Sequence, residues 1–148
     1  CAGLLFHHRG AENAEDYLER VIMDDLNDLT GAIIGGAIEV HRNLGPGLLE
    51  SAYESCLLWE LRQKGLRAES QVPVPIRYKG LQLDAGYRID LLVQDKIIVE
   101  LKAIDKIQPI HTAQVLTYLK MTDLRMALIL NFNVELMRSG IKRIINDF

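Results

Sequence analysis

Cysteine is scarce in this sequence. Only Cys1 and Cys56 occur among its 148 residues, and neither has a further cysteine or a histidine nearby at zinc-ligand spacing. Two thiols are too few for the disulfide framework of a small secreted protein. The scarcity therefore excludes a disulfide scaffold, and it predicts a reducing, cytoplasmic location.

Long hydrophobic runs, internal repeats and low-complexity tracts are also lacking. The longest nearly apolar stretch, GAIIGGAI at 31–38, is far shorter than the roughly 20 residues that a membrane-spanning helix needs. Hydrophobic residues make up 49% of the chain and charged residues 25%, as in ordinary soluble domains. We therefore expect a globular protein that does not use a membrane as its partner.

A strong basic charge is the third absence. The chain has 17 basic and 20 acidic residues, and the first 30 residues hold two arginines against seven acids. We interpret residues 1–24 as an acidic, partly disordered leader with one short helix at about 15–23, and residues 25–148 as a single domain. The mildly basic remainder is compatible with a nucleic-acid partner but does not require one, since clear binders carry a strong basic patch.

The apolar pattern predicts an α/β fold. Apolar residues three and four apart from Leu26 to Leu44 predict an amphipathic helix, which LGPG at 44–47 ends. A second helix is predicted at about 48–64 and a third begins at Pro109, whereas strands are predicted at 69–78, 81–93, 97–103 and beyond the third helix. The prolines in QVPVPIRY favour an edge strand. This order predicts a mixed β-sheet flanked by helices.

The stretch RIDLLVQDKIIVELKA, at 88–103, reads as a β-hairpin that contains three charged residues among apolar ones. Glu100 and Lys102 share a face because strand side chains alternate. A three-residue loop at 94–96 would pair Val93 with Ile97 and set Asp90 opposite Glu100. The three charged groups are therefore predicted to converge.

Two adjacent carboxylates repel each other unless a cation lies between them. Oxygen ligands with positions left open for water and phosphate suit Mg²⁺, and Lys102 would then orient water or offset negative charge in the transition state. The alternative is a salt bridge between Lys102 and one of the carboxylates on a solvated face. Composition alone leaves both interpretations open.

Asp90, nine intervening residues and then Glu100-Leu101-Lys102 resemble the D…ExK core of the PD-(D/E)XK nuclease superfamily. GLLESAY at 47–53 resembles the signature of the GxxExxY proteins. The similarity runs from about residue 29 to 145 and includes EVHRNLGPGLLESAYE, QVPVPIRYKG, RIDLLV, VELKA and LILNF. It implies a restriction-endonuclease-like sheet core with flanking helices, and cleavage of phosphodiester bonds with Mg²⁺ or Mn²⁺.

The resemblance also implies a set of site residues. Glu50 matches a helix glutamate that joins the metal site in related nucleases, and Gln114 with Tyr118 matches the QxxxY element of RecB-like nucleases. The predicted metal ligands are Asp90, Glu100, Glu50 and the backbone carbonyl of Leu101; the predicted catalytic residues are Asp90, Glu100, Lys102, Glu50 and Gln114; the predicted substrate contacts are Tyr118, Tyr53 and His41. A hydrogen-bonded core histidine is the alternative for His41, and a solvated glutamate is the alternative for Glu50.

Two functions remain open on the sequence alone. The first is a metal-dependent nuclease, with DNA favoured over RNA as its substrate. The second is a nuclease-like scaffold that binds nucleic acid or assembles into a homo-oligomer through the small residues of GAIIGGAIEV at 31–40. Because the Asp90, Glu100 and Lys102 motif is intact, catalysis is favoured.

Overall fold

The computed structural model of the protein describes residues 12–147, so Cys1 and the first part of the predicted leader lie outside it. The elements, in chain order, are α1 (Ala14–Leu44), α2 (Glu50–Gln63), β1 (Ala68–Pro73), β2 (Ile76–Tyr78), β3 (Leu81–Leu83), β4 (Arg88–Val93), β5 (Ile97–Lys102), α3 (Pro109–Thr122), β6 (Met126–Asn131), a 3₁₀ turn (Met137–Gly140) and β7 (Ile141–Ile145).

Helix α1 is longer than the sequence pattern predicts. It begins after Asn13, whose side chain accepts the backbone N–H of Asp16 at 2.8 Å, and it continues without a break to Leu44. The short helix predicted at 15–23 and the helix predicted from Leu26 are thus one element, because no glycine or proline interrupts residues 14–30. The boundary predicted after residue 24 lies inside this helix.

Five strands form a mixed sheet in the order β1-β4-β5-β6-β7. Strands β5 and β6 are parallel and are connected through α3, whereas the other neighbouring pairs are antiparallel. Strand β1 lies at the edge, as its prolines predict. The mixed sheet with flanking helices confirms the predicted α/β, restriction-endonuclease-like fold class.

Strands β2 and β3 form a separate two-stranded hairpin. The strands predicted at 69–78 and 81–93 are therefore each divided in two. Pro75 separates β1 from β2, and Lys79 and Gly80, with φ of 49° and 83°, turn the chain from β2 into β3. Positive φ at both central residues is the geometry of a tight hairpin turn.

Helices cover both faces of the large sheet. On one face, α1 and α2 pack against a buried layer of aliphatic side chains that includes Leu91, Val99 and Leu128. On the other face, α3 packs against Ile98, Ala127 and Ile129. Because alternate residues of β5 face opposite sides, Glu100 and Lys102 lie on the α3 face with Ile98.

Some of the small residues of α1 are buried in helix packing within the fold, and others are exposed. Gly36 and Ala37 are buried, and a Cβ at Gly36 would lie only 3.2 Å from Leu57 of α2. Gly31 and Gly35 are exposed. The close approach of α1 to α2 therefore uses Gly36, and assembly into a homo-oligomer stays a prediction.

Across residues 12–147, no helix combines the length and the apolar character needed to cross a membrane.

Candidate active site

The β4–β5 hairpin has the predicted register. Val93 pairs with Ile97, and Gln94 and Asp95 of the connecting loop adopt positive φ of 56° and 52°. Continuing this register places Asp90 opposite Glu100. The regular pairing ends one residue earlier, at Leu91 and Val99, so the ladder is interrupted where the two carboxylates meet.

The two carboxylates are held by backbone groups of each other's strands. The backbone N–H of Asp90 donates to Oε2 of Glu100 at 2.8 Å, and the backbone N–H of Leu101 donates to Oδ2 of Asp90 at 2.9 Å. Each carboxylate therefore has a defined orientation and keeps its second oxygen for another partner. Hydrogen bonds from backbone N–H groups also favour the charged form of a carboxylate.

Glu100 lies in an unfavourable place for a negative charge. It is only 4% exposed. Burial, and secondly the charge of Asp90, raise the pKa of Glu100 to about 8, and the Lys102 ammonium acts in the opposite direction. Even with Lys102 nearby, Glu100 would hold a proton at neutral pH in the absence of a metal cation, and a metal cation would favour its ionised form.

Lys102 is close enough to lower the pKa of Glu100. Within residues 12–147, however, its ammonium makes no ion pair with a carboxylate. The alternative in which Lys102 forms a salt bridge on a solvated strand face is therefore not what the fold contains. Its ammonium remains available to a substrate group near the carboxylate pair.

The oxygens at this site fit a divalent cation. One carboxylate oxygen of Asp90 and one of Glu100 accept no backbone N–H, and the Leu101 carbonyl faces the same side as its N–H, toward β4. In the described part of the chain, no three His, Cys, Asp or Glu side chains converge into a complete metal cage. Carboxylate and carbonyl oxygens are the ligand type that Mg²⁺ prefers.

Gln71 connects the carboxylate pair to helix α2. Its side-chain amide donates to Glu54 at 2.8 Å and to Oδ1 of Asp90 at 3.4 Å. The β1–β4 pairing skips Gln71, which lies between the Ser70–Leu91 and Val72–Ile89 pairs and has φ of 55°. A non-glycine residue in the left-handed region is strained, and such strain is concentrated at functional sites.

Glu54, rather than the predicted Glu50, is the helix carboxylate linked to Asp90. The pKa of Glu54 is raised, mainly by burial and secondly by the charge of Asp90. The hydrogen bond from Gln71 lowers this pKa, and the charge of Glu50 raises it slightly. Glu50 is exposed at the first position of α2. The sequence shows two glutamates one helical turn apart, and only the orientation of α2 on the sheet distinguishes them. No sequence signal identified Gln71.

Gln114 and Tyr118 share one face of α3 and line the same cavity. Tyr118 is 4% exposed. Burial, and secondly the negative charge of Glu100, raise the pKa of Tyr118 to about 12. Tyr118 is thus near the carboxylate pair, and its predicted contact with the substrate stays a prediction. Its hydroxyl stays protonated at neutral pH.

Tyr53 and His41 are held by the protein itself. Tyr53 is fully buried; its hydroxyl donates to the Gly45 carbonyl at 2.6 Å and accepts the Leu48 N–H at 3.1 Å. His41 is buried and its Nε2 lies 2.7 Å from the Val134 carbonyl oxygen. These positions favour structural roles over the predicted substrate contacts.

Tyr53 nevertheless supports the site indirectly, through its contact with Phe132. Its ring stacks on Phe132 with centroids 4.5 Å apart, and the Phe132 N–H donates to the Lys102 carbonyl at 2.9 Å. The α1–α2 loop, the ring stack and the end of β5 are therefore one packed unit. This contact gives the tyrosine of the GLLESAY motif a physical function.

Asn131 is a further supporting residue that the sequence did not single out. It is buried beside Lys102 in the parallel register of β5 and β6. Its amide accepts the N–H of Ile104 at 3.1 Å and donates to the Ile104 carbonyl at 2.8 Å. It therefore holds the chain that leaves β5 just after Lys102.

Replacing Gln71 tests whether the strained bridge serves the site. We expect Gln71→Gly to melt at or above the wild-type temperature, because a left-handed non-glycine residue costs about 1–2 kcal/mol. We expect the same variant to lose about 10- to 100-fold in metal affinity, the usual effect of removing a group that orients a ligand. Thermal melting and calorimetric metal titration measure the two effects.

Asp123→Gly is the matched control, since Asp123 also has a positive φ of 58° but ends α3 in an exposed position. It should gain stability without a change in metal affinity. A Gln71→Gly variant with wild-type metal affinity would mean that the bridge does not position Asp90.

Comparison with known proteins identifies the family. The family model described as PD-(D/E)XK nuclease superfamily matches residues 27–144. Searches of curated proteins and of solved structures gave no match. The matched range includes the β4–β5 hairpin with its two interlocked carboxylates and the lysine beside them, as well as α2 and α3. The chain belongs to the PD-(D/E)XK nuclease superfamily.

Proposed function

We propose that this protein is a divalent-metal-dependent nuclease that hydrolyses phosphodiester bonds, with DNA as the preferred substrate. The observation that carries the proposal is the Asp90–Glu100 pair, in which each carboxylate is oriented by the other's strand. The Lys102 ammonium lies near this pair and makes no ion pair with a carboxylate of residues 12–147. Nucleases of this superfamily generally use divalent metal ions, and DNA is placed ahead of RNA on the resemblance to DNA-cleaving members.

Asp90, Glu100 and the Leu101 carbonyl would hold the cation. Mg²⁺ or Mn²⁺, when bound, would make a coordinated water more acidic and stabilise charge on a phosphoryl oxygen. Glu50 stays a weaker candidate ligand because it is exposed. Glu54, through Gln71, would act on the cation only by holding Asp90 in place.

Lys102 has two possible tasks at the scissile phosphate. Its ammonium could donate to the attacking water and fix its direction, or it could stabilise the negative charge that develops on the phosphate oxygens. Both tasks require that the lysine is charged, makes no salt bridge within the protein and lies in partly buried surroundings. Gln114, which lies on the same side of the sheet as Lys102, is proposed to orient Lys102 or the substrate.

The direct test is cleavage of labelled linear duplex DNA, single-stranded DNA and RNA in Mg²⁺, Mn²⁺ or EDTA. We expect cleavage that depends on the metal and is abolished by EDTA. Glu100→Gln, purified in parallel, should be inactive because it removes a ligand charge while nearly keeping the side-chain shape. Cleavage that is equal in this variant would reveal a contaminating enzyme.

Failure to cleave any of the substrates in either metal would contradict the nuclease proposal. It would favour the alternative, a nuclease-like scaffold that binds nucleic acid or self-assembles.

A further inference from the structure

A cavity of about 530 Å³ opens between α3, β2 and the chain that enters β4, and Tyr118 is one of its lining residues. Ligand pockets of proteins usually measure about 300–1,000 Å³. Tyr87, Ile76 and Ile110 supply its apolar walls, and Gln114 and Thr117 supply polar groups. The cavity thus combines flat apolar surface with a few hydrogen-bonding groups.

Two of the apolar walls are open to solvent. Ile110 is 71% exposed and Tyr87 is 43% exposed. Isolated exposed apolar residues need no explanation, but those that share a cavity mark a surface for a ligand. An occupant that covers them must present an apolar face.

Contacts with the protein position the Tyr87 ring so that a flat ring system could stack on it. Its backbone carbonyl accepts the Val74 N–H at 2.9 Å, and its ring meets Tyr118 edge to face with centroids 6.2 Å apart. Tyr118 is buried and does not move aside easily. Tyr118 therefore supports the Tyr87 ring on the protein side, and much of the surface of Tyr87 stays accessible to solvent.

Gln114 supplies the polar edge. Among the residues that the structure describes, its side-chain amide has no hydrogen-bond partner, although it is half-buried. A carboxamide offers both a donor and an acceptor, so it can bind the hydrogen-bonding edge of any base. A flat apolar ring system with a polar edge is the chemistry of a nucleobase.

The cavity is also at the right distance from the site. Tyr87 precedes Asp90 by three residues, which in an extended chain corresponds to about 10 Å. Tyr118 is close enough to Glu100 and Asp90 for their charges to raise its pKa. A base on Tyr87 would therefore belong to a nucleotide that flanks the phosphate held at the carboxylates.

We propose that this cavity binds an unpaired nucleobase of the substrate strand, stacked on Tyr87 with its edge toward Gln114. The inference rests on the proposed nuclease function and adds the substrate class, which is single-stranded nucleic acid or a frayed end. A base within a duplex is stacked and paired, so it cannot enter the cavity unless it leaves the helix. Stacking on an aromatic side chain accepts every base and gives little sequence preference.

The test is binding, measured by fluorescence anisotropy with labelled oligonucleotides in EDTA so that metal-dependent cleavage does not interfere. Tyr87→Ala should weaken the affinity for single-stranded DNA about 5- to 150-fold, the range for loss of one stacked base. The affinity for the duplex of the same sequence should stay within twofold of wild type. Tyr87→Phe keeps the ring and should bind single strands like wild type.

Tyr17→Ala is the matched control, because Tyr17 is 57% exposed on α1 and does not line the cavity. It should leave both affinities unchanged. Equal weakening of single strand and duplex by Tyr87→Ala, an unchanged affinity, or no binding of single strands by the wild type would each overturn the proposal. A melting curve near that of wild type confirms that Tyr87→Ala is folded.

Failure of this proposal is distinguishable from failure of the nuclease function. Tyr87-dependent binding of single strands without cleavage in any metal would reject the nuclease and keep the base site. Metal-dependent cleavage with unchanged binding by Tyr87→Ala would keep the nuclease and reject the base site.

Discussion

Lys102→Ala is expected to lose about a hundredfold or more in cleavage rate and to keep a near-native melting temperature. The rate loss follows because the ammonium lies beside the carboxylate pair without an ion-pair partner in the described residues, and removal of one electrostatic stabiliser typically has this effect. The melting temperature should hold because no salt bridge is broken. Single-turnover cleavage and thermal melting, measured on the same preparation, give both values.

Two further variants separate charge from packing. Lys102→Met keeps an unbranched apolar stem and should be as inactive as Lys102→Ala, because only the ammonium acts on the substrate. Lys106→Ala removes a charge of the same type from an exposed position after β5 and should keep nearly the full rate. If Lys102→Ala cleaves at the rate of Lys106→Ala, then the lysine has no part in catalysis.

Asp90→Asn is expected to abolish binding of the divalent cation. In the wild type, saturation at about 100 times Kd should stabilise the fold by about 2.7 kcal/mol, which raises the melting temperature of a domain of this size by roughly 5–10 °C. The variant should show no such rise. Calorimetric titration with Mg²⁺ and Mn²⁺, together with thermal melting at several metal concentrations, measures the difference.

The same variant should be no less stable than the wild type when metal is absent. An asparagine oxygen can still accept the Leu101 N–H that Oδ2 of Asp90 accepts at 2.9 Å, and the variant no longer holds the negative charge that raises the pKa of Glu100. Asp105→Asn, a change of the same type at an exposed carboxylate after β5, is the control and should bind metal normally. Equal heats for wild type and Asp90→Asn would remove the metal site from this pair.

The sequence by itself determined the β4–β5 hairpin of the candidate site. Strand alternation, together with a loop of three residues, predicts the facing positions of Asp90 and Glu100, and the register has that form. Both effects act between neighbours along the chain, so they can be read without knowledge of the rest of the fold. The edge strand at the two prolines and the start of α3 at Pro109 are local effects of the same kind.

Only the tertiary structure decided which groups surround the hairpin. Glu50 and Glu54 lie one helical turn apart, and the rotation of α2 on the sheet sets Glu54 against Gln71, which lies 17 residues further on. The packing of the helices on the sheet also buries Tyr53 and places Tyr87 beside α3. Contacts between elements depend on packing angles and on side-chain shapes across the core, and spacing within one element carries no information about them.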